Sequence, residues 1–198
     1  MANPLLARQV SPAQDTQVTL PNHLTPSIVL VTGISNESIA GELALQLATA
    51  DPKLLILTAR GESKVAPIVE QIKATKPNVE TRFVNLELGD LSSVRKVAEK
   101  DLADIPQLDH VVCVAGVMAC PFGRTKDGFE MQFGVNYLAN FLLVKLLLPK
   151  VQAAGPSSSV IIVSSSVVKL GKVQFDDLDF SVSAVLPYLF PSSLSQDL

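Results

Sequence analysis

The segment Thr32-Gly33-Ile34-Ser35-Asn36-Glu37-Ser38-Ile39-Ala40-Gly41 joins a short apolar run to a stretch of helical spacing. A glycine-bearing turn of this kind lets backbone N–H groups approach a pyrophosphate at the positive end of a helix. Only Gly33 and Gly41 are present, and their spacing is not the usual one. Taken alone, the turn is a weak signal for a bound nucleotide. Other reactive residue types offer less. Cys113 and Cys120 are too few for a disulfide framework or a four-thiolate metal site, and each stands in or just after an apolar run. Both are expected as free thiols in a reducing compartment. Cys120 precedes Pro121 in a loop with no base in view, so it reads as packing or lining. His23 and His110 have no ligand-like spacing, and no metal is expected. Asp176, Asp177 and Asp179 read as a solvated acidic loop.

The elements that must position these residues follow from periodicity. Ser27 to Thr32 is a continuous apolar run ending at Gly33 and predicts a buried strand. A helix is predicted from about Ser38, a second strand over Leu54 to Thr58, and a helix over Lys64 to Ala74 with Val65, Ile68, Val69 and Ile72 at helical intervals. Val79 to Leu86 alternates weakly and reads as a third strand, and a third helix starts at Leu91. His110 to Val114 is a fourth strand, a long helix is predicted over about Asp127 to Val151, and Val160 to Val163 is a fifth strand. Alternating strands and helices with short, right-handed connections give a parallel sheet covered on both faces. The expected fold is α/β, a Rossmann-type doubly wound parallel sheet that stops after the fifth strand. The domain occupies residues 27–181. Residues 1–26, punctuated by Pro4, Pro12, Pro21 and Pro26, are expected to be a disordered or surface-lying extension.

The 198 residues carry 16 basic and 19 acidic side chains, a net charge of −3, with no block of like charge. Neither nucleic acid nor an anionic membrane surface is expected as a partner. No apolar run reaches the roughly 18 to 20 residues that span a bilayer. The nearest, Tyr137 to Leu148, is interrupted by Asn140 and Lys145 and reads as a buried helix. The expected setting is cytoplasmic.

In sum, the motifs point to a family. Val31 to Ser35 resembles the TGxxxGxG start of the short-chain dehydrogenase/reductase family, and most resembles a fungal, retinol-dehydrogenase-like branch whose turn reads like TGCSPGGLGAE. On that alignment Glu37, Ser38 and Ala40 stand at three glycine positions. Similar matches follow in order at Leu54 to Lys64, along "FVNLELGDLSSVRK", along "MACPFGRTKDGFEMQFGVNYLANFLLVKLLLPK", at "VIIVSSS" and at "FDDLDFS". The resemblance covers about Ile28 to Ser181.

It implies a nicotinamide cofactor and an alcohol or carbonyl small molecule as substrate. Gly33, Ile34, Ala115 and Gly116 would border the cofactor, and Glu87 aligns with an aspartate near the adenine. Arg60 stands where an acidic residue would hold the ribose hydroxyls of NAD. A guanidinium there pairs with a 2′-phosphate, so Arg60, with Lys64, favours NADP. Ser165 aligns with the family's catalytic serine and Asn136 with its helix asparagine. The family's tyrosine and its lysine four residues on have no counterpart: Tyr188 is followed at that spacing by Ser192, Tyr137 precedes the fifth strand, and no lysine follows Lys172. The two asparagines expected after the fourth strand are Cys113 and Val114. Glu37 would bring a carboxylate towards the pyrophosphate and weaken binding. The expected function is therefore an NADP-dependent alcohol or carbonyl oxidoreductase that is catalytically impaired. The alternatives are a non-catalytic NADP- or protein-binding module and a defective gene product. Residues 182–198 are expected to be a tail foreign to the family, and the oligomeric state is left open.

Overall fold

The computed structural model describes residues 26–165 and 175–178. Five strands, β1 (Ile28–Thr32), β2 (Leu54–Ala59), β3 (Glu80–Asn85), β4 (His110–Cys113) and β5 (Ser159–Ile162), form one sheet in the order β3-β2-β1-β4-β5. Every pairing is parallel. The helices are α1 (Ile39–Thr49), α2 (Glu62–Thr75), α3 (Leu91–Lys96) and α4 (Asn140–Ala153). A π-helical segment, Val97–Asp101, extends α3, and another, Phe133–Ala139, leads into α4. This is the doubly wound, Rossmann-type architecture expected from the sequence. The expected extension over residues 1–26, apart from Pro26, and the expected tail over residues 182–198 lie outside the described residues.

Successive strand side chains point to opposite faces, and both faces are covered. Leu30 and Ile56 pack with Val94, Leu102, Leu143 and Leu147 on the α3–α4 side. Val29, Val31, Leu55 and Leu57 pack with Ala44, Ala48, Val65, Ile68 and Ile72 on the α1–α2 side. β1 and β2 therefore read as unbroken apolar runs, because neither face meets water. The buried face of α1 is Ala40, Gly41, Ala44 and Ala48. These small residues at helical spacing let the helix axis come close to the sheet.

One boundary differs from the sequence expectation. The long helix begins at Met131, not near Asp127. Gly128, at φ +87°, turns the chain, and Arg124 and Glu130 face each other in an antiparallel bridge. The Glu130 carboxylate then caps the helix, accepting from the N–H of Gln132 at 2.9 Å and of Phe133 at 2.7 Å. Asp127 faces the other way and accepts from the Leu91 N–H at 2.8 Å.

The π-helical segment and α4 together make a helix of 21 residues, Phe133–Ala153, with mean hydropathy 1.2. By length and composition it could cross a membrane, which the interrupted run Tyr137 to Leu148 had argued against. Here its Leu143, Leu147 and Val151 are buried against the sheet, while Tyr137, Phe141 and Leu148 face outward. Among the described residues β5 pairs only with β4, and Ile161, Ile162 and Val163 are about half exposed, as expected for an uncovered edge.

The two faces of α4 predict opposite responses. Leu143→Ala, at a fully buried site, is expected to cost roughly 2–5 kcal/mol. Leu148→Ala, at a side chain 42% exposed, is expected to stay within about 0.5 kcal/mol. Urea unfolding monitored by circular dichroism checks both; equal midpoints for the two variants would mean that α4 does not dock by this face.

Candidate functional site

Strand order reverses between β1 and β4, and ligands of open α/β sheets sit at that point, beyond the carboxyl ends of the strands. A cavity of about 400 Å³ lies there. Its floor is built by backbone groups. Gly33 and Ile34 both donate their N–H to the Thr58 carbonyl, at 3.0 and 2.9 Å, locking the turn after β1 onto the end of β2. The buried Thr32 hydroxyl accepts from the N–H groups of Val114 and Ala115, at 3.0 and 3.1 Å, drawing the chain after β4 across the end of β1. Gly33 has φ +82°, and a Cβ there would fall 2.8 Å from the Ala115 Cα. Only glycine meets both conditions.

The six positions expected to hold a cofactor, Gly33, Ile34, Arg60, Glu87, Ala115 and Gly116, all line this one cavity. Arg60 and Lys64 are exposed at its rim. Glu87 accepts from the Gly89 N–H at 2.8 Å, which fixes its carboxylate along the wall. The two positions expected to act in catalysis are not among the lining residues. Ser165 stands exposed beyond β5. Asn136 clamps the loop after β4 from the helix: its side-chain oxygen accepts from the Val117 N–H and its amide donates to the Val117 carbonyl, both at 2.8 Å. Its role here is to shape the wall that Val117 contributes.

Several residues at the site carried no distinct signal in the sequence. Asn140 is buried, and its amide donates to the Val135 and Asn136 carbonyls at 3.0 and 3.2 Å, within and just before the turn where the helix changes pitch. Its only trace was a polar residue inside an apolar run. Thr58 is buried on the cavity wall, and among the described residues its hydroxyl has no hydrogen-bond partner.

Glu37 does not take the place expected for it. It is exposed, at φ +54°, and does not line the cavity. The helix is capped by the next residue, Ser38, whose hydroxyl accepts from the Gly41 N–H at 3.0 Å. Glu37 holds a left-handed backbone that suits glycine, at a cost of roughly 1–2 kcal/mol for an L side chain. The backbone shape of a glycine position is kept while the residue has changed.

Both cysteines are free thiols. Burial pushes the Cys113 thiol up to about 11, so it is no nucleophile near neutral pH.

A clamp joins the two sides of the cavity. The β3–α3 loop carries Glu87, and the hairpin before the long helix follows the Val117 loop. Lys126 donates its backbone N–H to the Gly89 carbonyl at 2.9 Å and its ammonium to Asp90 at 2.6 Å. Asp127 accepts from the Leu91 N–H at 2.8 Å. Asp90 also caps α3, accepting from the Ser92 and Ser93 N–H groups. Its hydrogen bond from Lys126, followed by that from Ser92, holds the Asp90 carboxyl well below the usual carboxylate range.

Residues 27–176 match the family model described as short chain dehydrogenase. Retinol dehydrogenase 13 of Mus musculus is 40% identical over 154 residues, 78% of this chain and 45% of that protein. Retinol dehydrogenase 11 of Homo sapiens is 36% identical over 178 residues, 90% of this chain and 54% of that protein. A short chain dehydrogenase from Salmonella enterica superposes with a TM-score of 0.62 at 29% identity, covering 75% of this chain and 61% of that one. The chain spans about half the length of the curated relatives it matches.

The clamp generates a pH prediction. A carboxyl whose pKa is lowered in the folded state stabilises the fold above its unfolded pKa, near 3.9, and loses that contribution as pH falls through the folded value. Asp90→Asn is therefore expected to melt below the wild type at pH 7, with the gap closing progressively below about pH 4. A gap that stays constant down to strong acid would show that charge on Asp90 is not what holds the clamp.

Proposed function

The chain belongs to the short-chain dehydrogenase family, and from that premise we propose that its cavity binds NADP, the cofactor for a hydride exchange between the nicotinamide and an alcohol or carbonyl. The observation that carries this reading is the pair of cations, Arg60 and Lys64, on the rim of a cavity whose floor closes at Gly33, where no side chain fits. A planar guanidinium matches a phosphate in two hydrogen bonds, and a lysine adds a point charge beside it. The residues present fit a nucleotide in another respect. Gly33, Ile34, Arg60, Glu87, Ala115 and Gly116, the positions aligned with the family's cofactor contacts, all line the one cavity.

In this reading Arg60 and Lys64 hold the ribose 2′-phosphate, Glu87 and Leu88 border the adenine, and Gly33, Ala115 and Gly116 allow the dinucleotide to approach the backbone. The cofactor supplies the hydride chemistry. Asn136 fixes the Val117 wall, and Asn140 satisfies the helix carbonyls behind it. Two free thiols, one of them deeply buried, suit a reducing, cytoplasmic setting.

The 198 residues carry no tyrosine followed four positions later by lysine, and Ser165 does not line the cavity. We assign cofactor binding to the residues that line the cavity and no proton-transfer role to any of them. Loss of a positioned proton donor typically costs roughly 10² to 10⁴ in rate.

Calorimetric titration tests the binding. NADPH is expected to bind more tightly than NADH, and Arg60→Ala is expected to weaken NADPH by about 10- to 100-fold, the worth of a hydrogen bond to a charged group, with little change for NADH. Equal affinity for the two cofactors, or an Arg60→Ala variant that binds NADPH normally, would remove the specificity assignment. NADPH oxidation with a panel of ketones and aldehydes is expected to stay at background. Turnover abolished by Ser165→Ala would show that another group has taken the donor role.

A further inference from the structure

The cap of α1 is closed on itself. The Ser38 hydroxyl accepts from the Gly41 N–H at 3.0 Å and from the Ser35 N–H at 3.3 Å, and donates its own proton to the Ser35 carbonyl at 2.7 Å. The ring is tight because residue 41 is glycine. A Cβ there would fall 2.3 Å from the Ser35 carbonyl oxygen, so that oxygen occupies the space a side chain would need. Ser38 lines the same cavity as Arg60 and Lys64.

We propose that Ser38 is a built-in substitute for a phosphate oxygen at the α1 N-terminus, so that the chain holds a dinucleotide mainly by its 2′-phosphoadenosine end and only weakly by its pyrophosphate. This rests on the cavity being a nucleotide site. An anion arriving at the positive end of a helix is stabilised by N–H groups pointing at it. Here one of those donors, Gly41, is already taken, and the oxygen that takes it has spent its only proton on Ser35. Its two lone pairs are likewise occupied, by the Gly41 and Ser35 N–H groups, so it offers an incoming phosphate no hydrogen bond. To make room, Ser38 must rotate away and give up three hydrogen bonds. Glu37, in the neighbouring position, points clear of the cavity and adds only a distant charge. Arg60 and Lys64 stand at the end of β2 and the start of α2 and are not engaged by this ring.

The test uses the full chain and three variants, Ser38→Gly, Ser38→Ala and Ser38→Thr. Each is titrated calorimetrically with NADPH and with adenosine 2′-monophosphate, which keeps the 2′-phosphate and lacks the pyrophosphate. Glycine is tolerated at an N-cap with a small loss, so Ser38→Gly retains the helix, and thermal unfolding of each variant verifies it. Ser38→Gly and Ser38→Ala are expected to bind NADPH about tenfold more tightly than wild type, the scale of one hydrogen-bond donor released to an anion. Their affinity for adenosine 2′-monophosphate is expected to be unchanged, and Ser38→Thr, which keeps the hydroxyl, is expected to restore wild-type affinity for both. Unchanged or weaker NADPH binding by Ser38→Gly and Ser38→Ala would overturn the proposal, since it would mean that the hydroxyl is neutral or donates to the phosphate. An equal gain for both ligands would overturn it as well. If neither ligand binds any of the four proteins, the nucleotide reading of the cavity itself falls, and that result is distinct from binding that ignores Ser38.

Discussion

The cavity exists because one buried hydroxyl, that of Thr32, accepts two backbone N–H groups from a strand that leaves the sheet in another direction. Val114 and Ala115 emerge from β4 with no ladder partner for their N–H groups, and Thr32 receives both. Without it, two donors would be left unsatisfied in the floor of the site, at about 1–3 kcal/mol each. The consequence is steric. The chain after β4 is brought so close to the turn after β1 that residue 33 can have no side chain. The Gly33 and Ile34 N–H groups then turn to the Thr58 carbonyl on the other side. Three strand ends are thereby tied together at the point where their order reverses, and the space above them is the cavity.

That arrangement explains why the cofactor half of the site could be read from the sequence. Unbroken apolar runs announce strands buried on both faces, and the site must lie at their carboxyl ends; the resemblance to the family then singled out Gly33, Arg60, Glu87, Ala115 and Gly116 there. What could not be read depends on hydroxyls and amides whose sequence context is ambiguous. Ser38 is an ordinary N-cap residue type, and nothing in the string says that its proton would go to Ser35. Asn140 looks like a flaw in an apolar helix until the change of pitch at Phe133–Ala139 exposes carbonyls that need a donor. Placing the start of the long helix at Asp127 failed for a similar reason. Asp127 and Glu130 are equally plausible caps by type, and only the tertiary pairing of Asp127 with the Leu91 N–H decides between them.

Glu37 shows how backbone and side chain can part company at such a turn. The turn keeps the left-handed conformation of a glycine position although the residue is now glutamate. The strain is local, and the carboxylate escapes to solvent. The electrostatic obstacle anticipated from the sequence thus becomes a conformational one, and the direct competition for the helix end passes to Ser38.

The two halves of the sheet are unequal, and the inequality bears on chemistry. β1 and β2 are buried along their whole length, and the Lys126–Asp90 clamp ties the loop after β3 to the hairpin before the long helix. On the other side β5 carries half-exposed Ile161 and Ile162, and Phe133, Tyr137 and Phe141 stack in an outward-facing row with ring centroids 5.4 and 6.3 Å apart. Ser165 belongs to that open side. A catalytic hydroxyl works only when held to within a fraction of an ångström beside the reacting atoms. The positions proposed for the cofactor lie around the carboxyl ends of β1, β2 and β4 and along the β3–α3 loop. Ser165, exposed beyond the end of β5, and the cavity are thus held by different parts of the fold.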